Sequence, residues 1–411
     1  MDFNNGSYSN NVQQQLNPVE PVQGQQPQQP YPPYGQGMQG QGPQFQPRQT
    51  YPQYGPGMQP PYPPYGPNGM YGQPFIPAFD QTPHKKFFSR VGLAYFTFFM
   101  VTSILQVITS LVARWVYPAV TDNYAAKIIL ALAPMYLVGA PIGFLIMSKL
   151  PVEKQPGMKW NAGQAIGGFF VAYGLVYASN IVGTTIGTII EEIFPGAQAA
   201  TNDTQELVAS GSLLVNILAI AIIGPIVEEI LFRKMLCDRI RVYGDGVTMV
   251  VTGLVFAVFH GNLTQGAYTF TLGMFFAYVY LKTGKLAITI AYHIGINLMG
   301  GVLPLIVMKN VNLAEYLEVV KSGDTNRILE FAENNAGSLA YMGLYLMILL
   351  GCAITGIVIF IVTLARKRVF INPGRITIPK GKRFSTVIVN VGMLLYVIMG
   401  IIVMILAMVP A

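Results

Sequence analysis

The feature that most constrains this 411-residue chain is a series of long apolar runs divided by polar loops. A run of about 20 mostly apolar residues crosses ~30 Å of hydrocarbon at 1.5 Å per helical residue. Nine such runs can be read, at about 91–113, 128–148, 164–189, 211–232, 247–262, 267–282, 286–307, 339–364 and 385–409. The fifth and sixth are short and separated by Gly261-Asn262 and a few polar residues, so they would form one hairpin partly buried in protein. The fold class predicted is all-α: a polytopic transmembrane helix bundle of about 8–9 spans with a disordered N-terminal tail. Composition agrees, being 52% hydrophobic and only 10% charged, against roughly 25% charged in soluble domains.

The tail occupies residues 1–83 and the helical domain 84–411. Gln, Pro, Gly and Tyr fill 55 of the first 83 positions, and the charges there are Asp2, Glu20, Arg48 and Asp80. Such a segment cannot bury enough apolar surface to offset its chain entropy. Its imperfect repeats, Tyr31-Pro-Pro-Tyr-Gly, Tyr51-Pro-Gln-Tyr-Gly and Tyr62-Pro-Pro-Tyr-Gly, favour extended polyproline conformations and read as a solvated spacer with no assigned partner. The N-terminus lacks an apolar leader, so the first span is expected to act as its own insertion signal.

The net charge of +7 does not point to nucleic acid, because the bases cluster between apolar spans, as topology signals do. Lys85, Lys86 and Arg90 precede the first span; Lys149, Lys154 and Lys159 follow the second; Lys234, Arg239 and Arg241 follow the fourth; Lys282 and Lys285 follow the sixth. Seven bases and no acid lie between the eighth and ninth spans. The alternate loops are neutral or acidic. This alternation predicts a cytoplasmic tail and an outside C-terminus. Cys237 and Cys352 are too few for a disulfide framework and have no metal-ligand spacing.

An ionisable group inside a membrane costs at least ~2.5–3.5 kcal/mol on insertion scales, so each one needs a reason. The fourth run contains Glu228, Glu229 and Arg233. Arg233 lies four residues beyond Glu229 and can pair with it on one helix face, whereas Glu228 points about 100° away. His260 ends the fifth run, and His293 and Asn297 stand one turn apart in the seventh. Polar groups in lipid-embedded helices face the bundle interior, so these residues should meet in one cavity. A carboxylate in an apolar cavity is brought toward general-base range. His260 could share in deprotonating a water, and His293 and Asn297 could donate to an oxyanion. The alternative is zinc held by Glu228, His260 and His293 from three helices, although no His-Glu-x-x-His is present. Tyr243-Gly-Asp-Gly246 has no partnering intramembrane Asp, and Gly163-x-x-x-Gly167 and Gly183-x-x-x-Gly187 would permit close helix packing.

Glu228-Glu229-x-x-x-Arg233, then Phe256-x-x-x-His260, then His293-x-x-x-Asn297, in that order on successive helices, resemble the motifs of the CPBP family. This family, also called Abi, comprises type II CAAX prenyl endopeptidases and bacteriocin-processing enzymes. The resemblance covers about residues 160–310 and implies an intramembrane site near the cytoplasmic face. It implies Glu228 as water-activating base, His260 as its partner and His293 with Asn297 as the oxyanion site. Glu229, Arg233 and Phe256 belong to the motifs in supporting places. The expected activity is hydrolysis of a peptide bond in a membrane-associated or lipidated peptide, with no cofactor favoured and zinc as the alternative. A non-catalytic immunity factor or scaffold of the same fold is the rival reading, and a proton-coupled transporter a weaker one. The expected setting is an integral protein of a bacterial cell membrane, with the bilayer and the substrate peptide as partners.

Overall fold

The computed structural model describes residues 79–154, 157–197, 212–307 and 313–409. The tail repeats lie outside these residues. Among the described residues there is no strand, only an isolated antiparallel bridge between Gly244 and Pro373.

Each of the nine apolar runs is helical. They form α1 (Thr82–Val116), α2 (Tyr124–Ser148), α3 (Ala162–Ile193), α4 (Leu213–Tyr243), α5 (Asp245–His260), α6 (Leu263–Thr283) and α7 (Leu286–Val307). Two short amphipathic helices follow, α8 (Leu313–Ser322) and α9 (Thr325–Asn334), in a stretch that reads from sequence only as a loop. The last runs form α10 (Ala336–Ala365), then α11 (Lys380–Val387) and α12 (Val391–Leu406), which meet at a 70° bend. Among the described residues, six helices are long and apolar enough to cross a membrane, or seven if the bent pair is one span. That is fewer than the eight or nine predicted. The difference lies mainly in α5 and α6: α5 has only 16 residues, short of the ~30 Å crossing, and α6 is diluted by Thr, Gln and Tyr.

The α5–α6 turn shows why the two runs make a hairpin. Gly261 closes α5 in the left-handed region at φ +59°, where glycine carries no Cβ penalty. Asn262 then caps α6, accepting from the Gln265 N–H at 3.0 Å. Where the helices cross, a Cβ on Gly273 would stand 2.9 Å from Gly253 Cα, so the backbones touch. Of the glycine pairs on α3, Gly183 packs against Thr264 of α6, while Gly163 and Gly167 meet no neighbouring helix.

Among the described residues, two larger apolar cores stand beside two small ones. One of the larger joins α1, α2, α4, α5 and α12 through residues such as Phe88, Tyr95, Phe232, Phe256 and Tyr396. The other joins α3, α6, α7 and α10 through Tyr173, Phe276, Tyr292 and Ala353. The polar residues of the fourth and seventh runs lie at the seam between them.

The loops that sequence grouped by positive charge touch one another at one end of the bundle. Glu153 N donates to Asp238 O at 2.8 Å, Met158 N to Lys282 O at 2.7 Å and Ile376 N to Val242 O at 2.9 Å. His84 hydrogen-bonds the Tyr243 hydroxyl at 3.1 Å and stacks on Phe79. Lys282 pairs with Asp245 at 2.6 Å, both buried, and Asn372 N donates to the same carboxylate oxygen at 2.8 Å. Asp245, in the Tyr243-Gly-Asp-Gly246 segment, is thus a tie between α5, α6 and the 366–383 loop.

Candidate active site

The site begins with a break in helical phase. In α4, Gly224–Glu229 is α-helical, but π-helical turns flank it at Asn216–Ile223 and Ile230–Cys237. Two more π turns lie nearby, at Leu298–Val302 directly after Asn297 and at Pro134–Gly139 in α2. Such turns shift the angular register of side chains and are common at functional sites.

Glu229 and Arg233 form the expected i, i+4 pair, with Arg233 Nε 2.9 Å from Glu229 Oε2 and both side chains fully buried. The guanidinium lies 5.1 Å from the Phe256 ring centroid and 5.2 Å from that of Phe276, one ring from each core. Cation–π attraction adds to the ion pair there. His293 completes this buried group, its Nδ1–H donating to Glu229 Oε1 at 3.0 Å. Thr289, one turn earlier on α7, donates its hydroxyl to Leu286 O at 3.0 Å. Glu229 therefore orients His293 and holds the tautomer whose Nε2 carries the free lone pair.

Glu228 stands apart from this ion-paired group. Its side chain is 14% exposed where that of Glu229 is 0%, and its Oε2 lies 3.8 Å from His293 Nε2. That buried oxygen makes no protein hydrogen bond. His260 is half-buried at the end of α5, with Nδ1–H donating to Phe256 O at 2.8 Å, which leaves Nε2 as its second functional atom. Both imidazoles rest on the Phe256 ring, with centroids at 4.6 Å for His260 and 5.9 Å for His293. Asn297 is drawn partly away, since its Nδ2 donates to Ile220 O at 3.0 Å.

All seven motif residues thus gather at the seam. Glu229, Arg233 and His293 form its buried rear, and Glu228, His260 and Asn297 its more open side. Sequence reasoning missed Tyr136 of α2 and Tyr268 of α6, both within electrostatic reach of Glu228. No motif spacing marks either one.

The arrangement collects hydrogen-bond acceptors: the Glu228 carboxylate and, in the neutral tautomers, two imidazole Nε2 atoms. Such a set can hold both protons of a water and leave its lone pair outward. Glu228 and His293 are close enough to share an ion, but among the described residues no three His, Cys, Asp or Glu side chains are grouped to hold one. Of the alternative zinc set, Glu228, His260 and His293, the first and last lie 3.8 Å apart.

Long apolar helices enclosing this charged seam define a membrane-embedded helical protein with an interior polar site. Residues 210–299, which carry all seven motif residues, match the family model of type II CAAX prenyl endopeptidase Rce1-like proteins, and this segment is an Rce1-like domain. The chain is 24% identical over 168 residues to the membrane-embedded CAAX protease MroQ of Staphylococcus aureus, covering 39% of this chain and 67% of that protein. It is 26% identical over 184 residues to YdiL of Bacillus subtilis, named as a membrane peptidase, covering 42% of this chain and 69% of the relative. No solved structure matches. With its apolar helices the chain is an integral membrane protein, similar over this segment to membrane proteases.

Proposed function

We propose that the chain is an intramembrane endopeptidase in which Glu228 activates water. The observation that carries this reading is the buried Glu228 Oε2, unbonded and 3.8 Å from His293 Nε2, beside a second glutamate whose charge is already matched by Arg233. A scaffold or immunity factor has no use for an unmatched carboxylate in so costly a place, and kinship to proteases favours hydrolysis over proton-coupled transport.

Water sits between Glu228 and an imidazole Nε2, each accepting one hydrogen bond from it. Glu228 removes its proton as the water oxygen bonds to the scissile carbonyl carbon, and the carbonyl π pair moves onto oxygen. The second N–H of Asn297 donates to that oxyanion, as does His293 Nε2 when the ring is protonated. On collapse the C–N bond breaks and the proton held by Glu228 passes to the leaving amine. The substrate class is a membrane-associated peptide, with a prenylated C-terminus as the form suggested by the matching family. The test is cleavage of prenylated and unmodified membrane peptides in reconstituted vesicles. Wild type should cut one class and Glu228→Gln neither, and equal cleavage by both would sink the reading.

The basic end of the bundle lies on the cytoplasmic side in this proposal, by its charge. His293 is eight residues beyond Lys285, about 12 Å along α7 at 1.5 Å per residue, which sets the site partway into the bilayer from that side. A cysteine placed near Glu318 should react with an impermeant label from outside, and one near Lys380 should not. The reverse pattern would invert the orientation.

A further inference from the structure

The donor and acceptor count of the site is unbalanced. His260 and His293 each commit Nδ1–H, to Phe256 O and to Glu229 Oε1, so their neutral rings present only acceptors to the cavity. Glu228 adds a carboxylate, and Asn297 has one N–H already bound to Ile220 O. A tetrahedral intermediate needs donors where its oxyanion forms, and a site of this composition is short of them.

Tyr136 answers that shortage. It stands on the π turn Pro134–Gly139 of α2, outside residues 210–299, so no family motif includes it. The turn separates Tyr136 from its neighbour Leu137, which is 73% exposed on the outer face, and leaves the tyrosine half-buried toward α4. Its hydroxyl lies over Gly224: a Cβ there would stand 3.2 Å from the Tyr136 oxygen and 3.9 Å from Glu228 Oε1. One bare glycine therefore separates the phenol from the carboxylate. The two oxygens of Glu228 divide their surroundings, Oε2 toward His293 and Oε1 toward the Gly224–Tyr136 side.

We propose that Tyr136 is a further catalytic residue, its phenolic O–H donating a hydrogen bond to the oxyanion that forms beside Glu228. The phenol keeps its proton throughout. It stabilises the charge arriving on the carbonyl oxygen and releases it on collapse, so no additional proton carrier is required. Gly224 is part of the same device, because a methyl group at that position would fill the space the reacting carbonyl must enter.

This inference rests on the endopeptidase reading, and the experiment separates the two. Wild type, Glu228→Gln and Tyr136→Phe are assayed together in vesicles on one cleaved peptide, with thermal unfolding measured for each. The expected result for Tyr136→Phe is a kcat about 100-fold lower with KM and Tm little changed, the size of loss seen when one oxyanion donor is removed. A tetrahedral phosphonate analogue of the substrate should lose affinity by a similar factor, while an uncleaved ground-state peptide should bind as before. Unchanged kcat, a rise in KM alone, or equal affinity losses for both ligands would overturn the proposal while leaving Glu228 in its role. Activity in Glu228→Gln would instead overturn the reading beneath it. If Tyr136→Phe does not fold, Gly224→Ala decides: a comparable loss of kcat supports the proposal and wild-type kcat overturns it.

Discussion

The molecule holds two buried charge networks, and they are built to opposite ends. At the basic end, Asp245 takes Lys282 and the Asn372 N–H, and Asp238 takes Lys234 at 2.8 Å and the Tyr280 hydroxyl at 3.0 Å. Arg239 is spent on the carbonyls of Met147 and Met235. The bonds of Asp245, Tyr280 and Arg239 Nε join separate elements, and the others brace α4 itself. At the seam, Glu229 is matched in charge by Arg233 at 2.9 Å and bonded by His293 at 3.0 Å, but Glu228 next to it has no guanidinium or ammonium partner and comes only within 3.8 Å of His293. Burial alone does not distinguish structure from chemistry here. What does is whether a buried carboxylate has a close basic counter-charge.

The sharpest way to break this comparison is to remove the unspent group. Glu228→Gln keeps shape and volume, removes the base and should lower turnover about 10³-fold or more, within the range of general-base contributions. Its unfolding temperature should stay near that of wild type. A large fall in stability with activity retained would make Glu228 a structural residue like Asp245.

The ion-paired groups should fail in the opposite manner. Asp245→Asn leaves Lys282 buried without its counter-charge, and breaking such a pair costs about 3–5 kcal/mol. Thermal or denaturant unfolding should show that loss, while turnover per folded molecule is preserved. Arg233→Met should lose stability to a similar degree because Glu229 is left alone, but it should also impair turnover, since Glu229 orients His293. Equal turnover in the two folded variants would remove Glu229 from the site.

Much of this division was legible in the sequence. The i, i+4 spacing of Glu229 and Arg233, with Glu228 about 100° away, already separates the paired carboxylate from the unpaired one. Alternating loop charge identified which loops meet at one end. His293 bonding to Glu229 was not legible, because the π turns on both sides of Gly224–Glu229 change the angular register on which such a pairing depends. Tyr136 was not legible either, since it reaches Gly224 across 88 residues of chain with no motif around it. The α8–α9 hairpin escaped notice because its helices are short and amphipathic. Signals were present in Asp324, which caps α9, and in Tyr316 and Phe331, whose rings pack at 5.9 Å.

Asn297 divides its capacity between the two kinds of work, so its effect should be intermediate. Asn297→Ala removes both the bond to Ile220 O and the free N–H. The expected loss is about 100-fold in kcat, with a fall in stability of about 1 kcal/mol for one net hydrogen bond. A stability loss with kcat intact would confine Asn297 to holding the α4 π turn.

The smallest expected effect concerns metal. The unspent acceptors could be read as ligands waiting for an ion, since Glu228 Oε2 and His293 Nε2 lie 3.8 Å apart. Second-sphere support is even in place, with Glu229 behind His293 and the Phe256 carbonyl behind His260. A catalytic zinc site, however, takes three protein ligands and one water, and the described side chains offer no grouped set of three. Holding zinc would require His260 and His293 to move together around the Phe256 ring that both now contact. The same acceptors serve without rearrangement to hold the two protons of a water. Exhaustive chelation of the purified protein should therefore leave turnover unchanged, and elemental analysis should find well under one zinc per chain. Stoichiometric zinc, with activity lost on chelation and restored by added metal, would recast the unspent groups as ligands and withdraw His293 from the oxyanion.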